Sequence, residues 1–191
     1  MLSRLRDLGD HDSWSAFDER YRELILRYCR RKGLQPSDAE DVRQMVMLNL
    51  AKQLRTFQYD VHKGRFRQYL GMVVRNAIHR LFRSPNAKLG GLDTAVESQL
   101  QAQPDERLDE LWEEEWMASH YRRALKVVRQ SSEPQSVVAF EALLAGQNLD
   151  QVASKLGMSR EAVQKVKQRM RDRLREVVAK QVQEEEDHPA S

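Results

Sequence analysis

Three carboxylates crowd the start of one stretch of this 191-residue chain: Asp38, Glu40 and Asp41, in SDAEDVRQMVMLNLAKQLRTF from Ser37. Carboxylates this close can do acid–base work or hold a metal, but either task needs further groups. No nearby His, Lys or Ser completes an acid–base or nucleophile arrangement, and no second carboxylate cluster completes a metal site. Cys29, the one cysteine, permits no internal disulfide or thiolate cluster and reads as packing among apolar helix positions. The sequence therefore predicts no catalytic residue, no metal and no cofactor. What remains is binding. Asp41 and Gln44 lie one helical turn apart and can project together from an exposed face, with Asp38 and Glu40 beside them.

Two further sets carry the opposite charge. RFRQYLGMVVRNAIHRLFR, from Arg65, places Arg67, Gln68, Arg75, Asn76, His79, Arg80 and Arg83 off its apolar stripe. The loop before it holds Tyr59, His62 and Lys63, an aromatic and cationic mix able to stack on an unpaired base and hold a phosphate; Phe57 reads as a plug at the helix junction. Near the C-terminus, NLDQVASKLGMSREAVQKVKQRMRDRLREV leaves Arg160, Glu161, Gln164, Lys165 and Gln168 outward, with Lys167, Arg169 and Arg171 flanking. Taken singly, each charged face is explained equally well as solvated surface. Their combination argues for a protein partner on one face and nucleic acid on others.

The elements that position these residues are helices. Trp14, Phe17, Tyr21, Leu24 and Tyr28 recur at three and four residues, predicting a first helix capped by Asp12 or Ser13 and stopped at Gly33. Ser37 with Glu40 forms a capping-box pattern for the second. Phe66, Tyr69, Leu70, Val73, Val74, Ala77, Ile78, Leu81 and Phe82 form one buried stripe on the third. Pro85, Gly90, Gly91 and Pro104 mark a linker. A long helix from Asp105 follows, with Leu111, Ala118, Tyr121, Leu125 and Val128 in one stripe and Trp112 and Trp116 beside it, expected as core of a second domain. Asn148 with Gln151, Gly157 as the turn and Ser159 as the next cap have the offsets of a helix-turn-helix, Ala153 and Val163 packing between its helices. The first residues of such a second helix reach base edges in the major groove.

The expected fold class is all-α: two small helical domains joined by a flexible linker, the second ending in a helix-turn-helix. The boundaries are 1–84, a linker over 85–104, 105–180, and an acidic disordered tail over 181–191. With 32% charged residues, small helical units suit the chain better than one large core. No apolar run is long enough for a bilayer, and MLSRLRDLGD lacks the apolar core of a signal peptide, so a soluble, cytoplasmic protein without membrane insertion is expected.

DAEDVRQ (Asp38 to Gln44), GRFRQYL (Gly64 to Leu70) with VVRNAIHRLFR after it, and the terminal helix-turn-helix together resemble a sigma factor of bacterial RNA polymerase, of the extracytoplasmic-function group. The resemblance runs from about Asp12 to Glu176. It implies docking of Asp38, Glu40, Asp41 and Gln44 on core RNA polymerase. It implies binding and melting of a minus-ten promoter element by His62, Lys63, Arg67, Arg75, Asn76 and Arg80, with Tyr59 in the same loop. It implies reading of a minus-thirty-five element by Arg160, Glu161, Gln164, Lys165 and Gln168, with Lys167 and Arg171 alongside. The partners implied are core polymerase and promoter DNA, and an anti-sigma factor comes into consideration. Departures are Met45 where a glutamate is usual, Tyr69 where a tryptophan is usual, and Ala162-Val163-Gln164 in place of a threonine-valine-lysine run. The last bears on promoter sequence rather than on activity. A polymerase-independent helix-turn-helix regulator is the alternative, and it leaves Asp41 with Gln44 and the basic loop unexplained. A recombinase-like enzyme lacks a nucleophile and base.

Overall fold

The computed structural model describes residues 9–53, 66–83 and 105–186, the side chains of 53, 105–109 and 186 excepted. Among the described residues every regular element is a helix: α1 (His11–Arg31), α2 (Pro36–Gln53), α3 (Phe66–Arg83), α4 (Asp105–Ser131), α5 (Pro134–Leu144), α6 (Leu149–Leu156) and α7 (Arg160–Glu186). The expected linker over 85–104 and the residues Tyr59, His62 and Lys63 lie outside this description. The chain divides into two compact units, one reaching Ser119 and the other spanning His120–Glu184.

In the first unit α1 brings an aromatic ladder to α2 and α3. Phe17 and Tyr21 stand 4.6 Å apart between ring centres, and Phe66 at the start of α3 meets both, at 6.1 and 5.8 Å. Val42, Val46 and Leu50 of α2 and Leu70, Val74 and Ala77 of α3 are fully enclosed with them. Cys29 is buried here too, and desolvation pushes its thiol up to about 12, so it stays protonated and unreactive.

The same core takes in Trp112 and Trp116 of α4, only 1% and 4% exposed. This corrects the expectation that they belong to the core of a second domain. Trp112 stands edge-on to Tyr28 at 5.1 Å, and Trp116 stacks on Tyr21 at 5.9 Å. The Trp112 indole N–H donates to the Arg67 carbonyl at 2.9 Å, so the ring's polar edge is satisfied in the core. Gly71 makes room for it: a Cβ there would lie 2.9 Å from Trp112 Nε1.

Helix starts differ from expectation by two or three residues. Asp10, rather than Asp12 or Ser13, caps α1, accepting from the Ser13 N–H at 3.0 Å and from its hydroxyl at 2.8 Å. α2 begins at Pro36, whose fixed φ suits a first helical position, and the Gln35 carbonyl accepts from the Ala39 N–H. Ser37 is thus inside the helix, and Glu40 is drawn to Arg22 and Arg43 instead of closing a capping box.

In the second unit Ala124, Val128, Phe140, Val152, Val163, Val166, Met170 and Leu174 form the core. Asn148 and Gln151 exchange side-chain bonds with each other's backbone N–H, both at 2.9 Å, and cap α6. Gly157 ends α6 in the left-handed region, φ +63. The Ser159 hydroxyl then accepts from the Ala162 N–H at 3.1 Å to open α7. Asn148→Ala is expected to cost about 1 kcal/mol, read as a shift in the urea midpoint at constant slope. The expected disordered tail is corrected over residues 181–186, which continue α7. Gln181 accepts from Arg123 at 3.4 Å, and Lys180 pairs with Glu184 one turn on.

Candidate functional site

α2 presents two kinds of carboxylate. Asp41 and Gln44 are exposed, and Asp38 is half-buried. Leu48, one turn beyond Gln44, is 60% exposed and extends their line with an apolar contact that charge pattern alone did not mark. Glu40, half-buried, is tied to arginines: Arg22 and Arg43 both donate to it at 2.9 Å, and Arg43 also reaches Asp18. The Arg43 hydrogen bond holds the Glu40 carboxyl below its usual range. Glu40 therefore braces α2 on α1 and sets Arg43, leaving Asp41 and Gln44 as the outward pair.

On α3, Asn76 and Arg80 are exposed and Arg75 is half-buried. Arg67 is engaged, its guanidinium 3.1 Å from Glu113 of α4. A cation from outside α3 also comes into this unit's ion pairs. Arg31 at the end of α1 pairs with Glu114 at 2.7 Å and Glu115 at 3.4 Å. Burial, then the charges of Arg31 and Arg75, lower the pKa of Lys32 next to it. Lys32 thus lies within electrostatic reach of Arg31 beside it and of Arg75 on α3. Sequence proximity gave no sign of this, because 42 residues or more separate α1's end from Arg75.

On α7, Arg160, Glu161, Gln164, Lys165 and Gln168 are all exposed. Arg160 pairs with Asp150 of α6 at 3.1 Å, and Gln168 donates to Asp172 at 2.9 Å. The Glu161 carboxyl is lowered by its own backbone N–H and the Ser159 hydroxyl, so it stays ionised at the helix start. Lys167 and Arg171 edge an apolar groove of about 550 Å³ floored by Phe140, Leu143 and Leu174. Arg169 turns away from this set and donates to the Ser136 hydroxyl at 2.8 Å. Among the described residues no group of three or more His, Cys, Asp or Glu could hold a metal ion, and no helix is long and apolar enough to cross a membrane.

No curated protein and no solved structure matches the chain. Residues 17–87 match the family model described as sigma-70 region 2, a span that holds most of α1 and all of α2 and α3. The outward Asp41–Gln44 pair and the basic face of α3 both fall inside that span, which supports a sigma-70 family factor with a role in promoter recognition by RNA polymerase.

Proposed function

We propose that the protein is a sigma factor of the extracytoplasmic-function group, acting by binding rather than by catalysis in the cytoplasm. α2 docks on core RNA polymerase through Asp41 and Gln44, with Asp38 alongside and Glu40 bracing. The loop before α3, with Arg67, Arg75, Asn76 and Arg80, engages and helps open the minus-ten element. α6 and α7 act as a helix-turn-helix on the minus-thirty-five element. The observation that carries this reading is the region 2 match over a segment where the exposed Asp41–Gln44 pair and a basic helix adjoin. The test is co-elution with core polymerase followed by run-off transcription on genomic fragments. Defined start sites that depend on the protein are the expected result. DNA binding without co-elution would favour a polymerase-independent regulator.

Within α7 the first turns should read bases and the later ones hold phosphates. Arg160→Ala or Gln164→Ala is expected to change the preferred minus-thirty-five sequence, each lost bidentate contact costing about 1–3 kcal/mol on matching promoters only. The exposed Arg160–Asp150 pair is weak enough to exchange for a base. Arg171→Ala should instead weaken all promoters alike and flatten the salt dependence by about one unit of slope. Binding selections on a randomised upstream element at two salt concentrations check both. An unchanged preference in all variants would remove base reading from this helix.

A further inference from the structure

Two arginines of the first unit meet carboxylates of α4 that sit on a rigid mount. Trp112 is enclosed, bonded to the Arg67 carbonyl and seated over Gly71, so it fixes α4 against the first turn of α3. Trp116, one turn on, adds the stack on Tyr21. Glu113 and Glu114 are carried between these two anchors and cannot drift away from the cations. Glu113 meets Arg67 at 3.1 Å, and Glu114 meets Arg31 at 2.7 Å.

The mount is buried, but the Glu113 and Glu114 pairs are open. Only Arg31's longer contact, to Glu115 at 3.4 Å, ends on an enclosed carboxylate, and it stays in place when the other two are exchanged. The Glu114 side chain is 65% exposed and its Arg31 partner 42%; Glu113 is 38% exposed and Arg67 24%. Pairs this open are weak and exchange partners readily. A phosphate offers an arginine the same charge and the same paired oxygens as a carboxylate, so it can take either position while the tryptophans stay in place.

We propose that Glu113 and Glu114 are positioning residues of the nucleic-acid face, resident substitutes for phosphate that hold Arg67 and Arg31 in place and that an incoming strand must displace. The proposal rests on the reading that α3 faces DNA, and it adds Arg31, with Lys32 beside it, to that face. The carboxylates keep the two guanidiniums extended in a binding geometry. They also lower the affinity of the free protein for any nucleic acid that offers only charge. A strand gains from displacing them only when its other contacts on α3 form too, which favours cognate over indiscriminate binding.

The test uses the full chain and a fluorescein-labelled single-stranded DNA of mixed sequence, titrated by anisotropy at several salt concentrations. The Glu113→Gln/Glu114→Gln variant is expected to bind about three- to tenfold more tightly at low salt, the gain from removing two exposed pairs. Its salt slope should steepen by about 0.7 for each arginine released to the strand. Both gains should vanish when Arg31→Ala and Arg67→Ala are added. Glutamine keeps the shape and helix propensity of glutamate, and an unchanged far-UV spectrum certifies the fold. If the glutamine variant binds as the parent does while Arg67→Ala weakens binding, the inference falls and the DNA-facing reading of α3 stands. If Arg67→Ala and the glutamine variant both bind as the parent does, that reading falls and takes the inference with it. An equal gain with and without the two arginines would mean a general charge effect and would also overturn the inference.

Discussion

Trp112→Ala is expected to destabilise the first unit by about 3–5 kcal/mol, the range for removing a large enclosed aromatic ring. The ring is 1% exposed, so its whole apolar area returns to a cavity or to water, and the Arg67 carbonyl loses its indole donor. Gly71→Ala attacks the same contact from the other side. A methyl at 2.9–3.0 Å from three indole atoms must push the ring, which Tyr28 and Trp116 confine, at a cost of about 1–3 kcal/mol. The two substitutions should be far from additive. With the indole gone the added methyl meets no obstacle, and alanine's better helix propensity, worth about 1 kcal/mol, should make Gly71→Ala stabilising in the Trp112→Ala background. Urea titrations of the four proteins followed by far-UV circular dichroism measure the cycle. Additive costs would mean that the ring does not rest on Gly71.

Asp41→Arg is expected to abolish co-purification with core RNA polymerase while leaving helix content and the urea midpoint within error of the parent. Asp41 is exposed in mid-helix, so the free protein loses nothing that holds α2. At a docked surface the same change places a cation against groups that expect an anion, a penalty of several kcal/mol, roughly a hundredfold or more in affinity. Glu40→Gln is the informative contrast. It releases Arg22 and Arg43, so its first effect should be on stability rather than on docking. Retention of polymerase by the Asp41→Arg protein would remove α2 as the docking element.

The helices around the first core were legible because their apolar residues keep one period over five turns. On α3 the nine-residue stripe read from spacing is buried except for Tyr69 and Leu81, which are half-buried. On α7 Val163, Val166, Met170 and Leu174 face inward as their spacing requires. α4 was misread for a physical reason. Periodicity says which residues share a face but not what covers it, and this single 27-residue helix lends Trp112 and Trp116 to one core and Ala124 and Val128 to another. Tyr121, read as core, is 43% exposed just past the boundary at Ser119. The ion pairs of Arg31 and Arg67 were illegible for a similar reason: each joins residues more than forty positions apart.

All three tryptophans of the chain, Trp14, Trp112 and Trp116, pack on the first core, and residues 120–184 contain none. The protein therefore carries an optical label on one of its two units without any chemistry being done to it. Indole emission, excited beyond the tyrosine band, reports on α1, α3 and the anchored part of α4. Backbone ellipticity reports on every helix at once. A denaturant or ligand acting only on His120–Glu184 would change ellipticity and leave emission constant, so comparing the two signals along one titration resolves the order in which the units come apart.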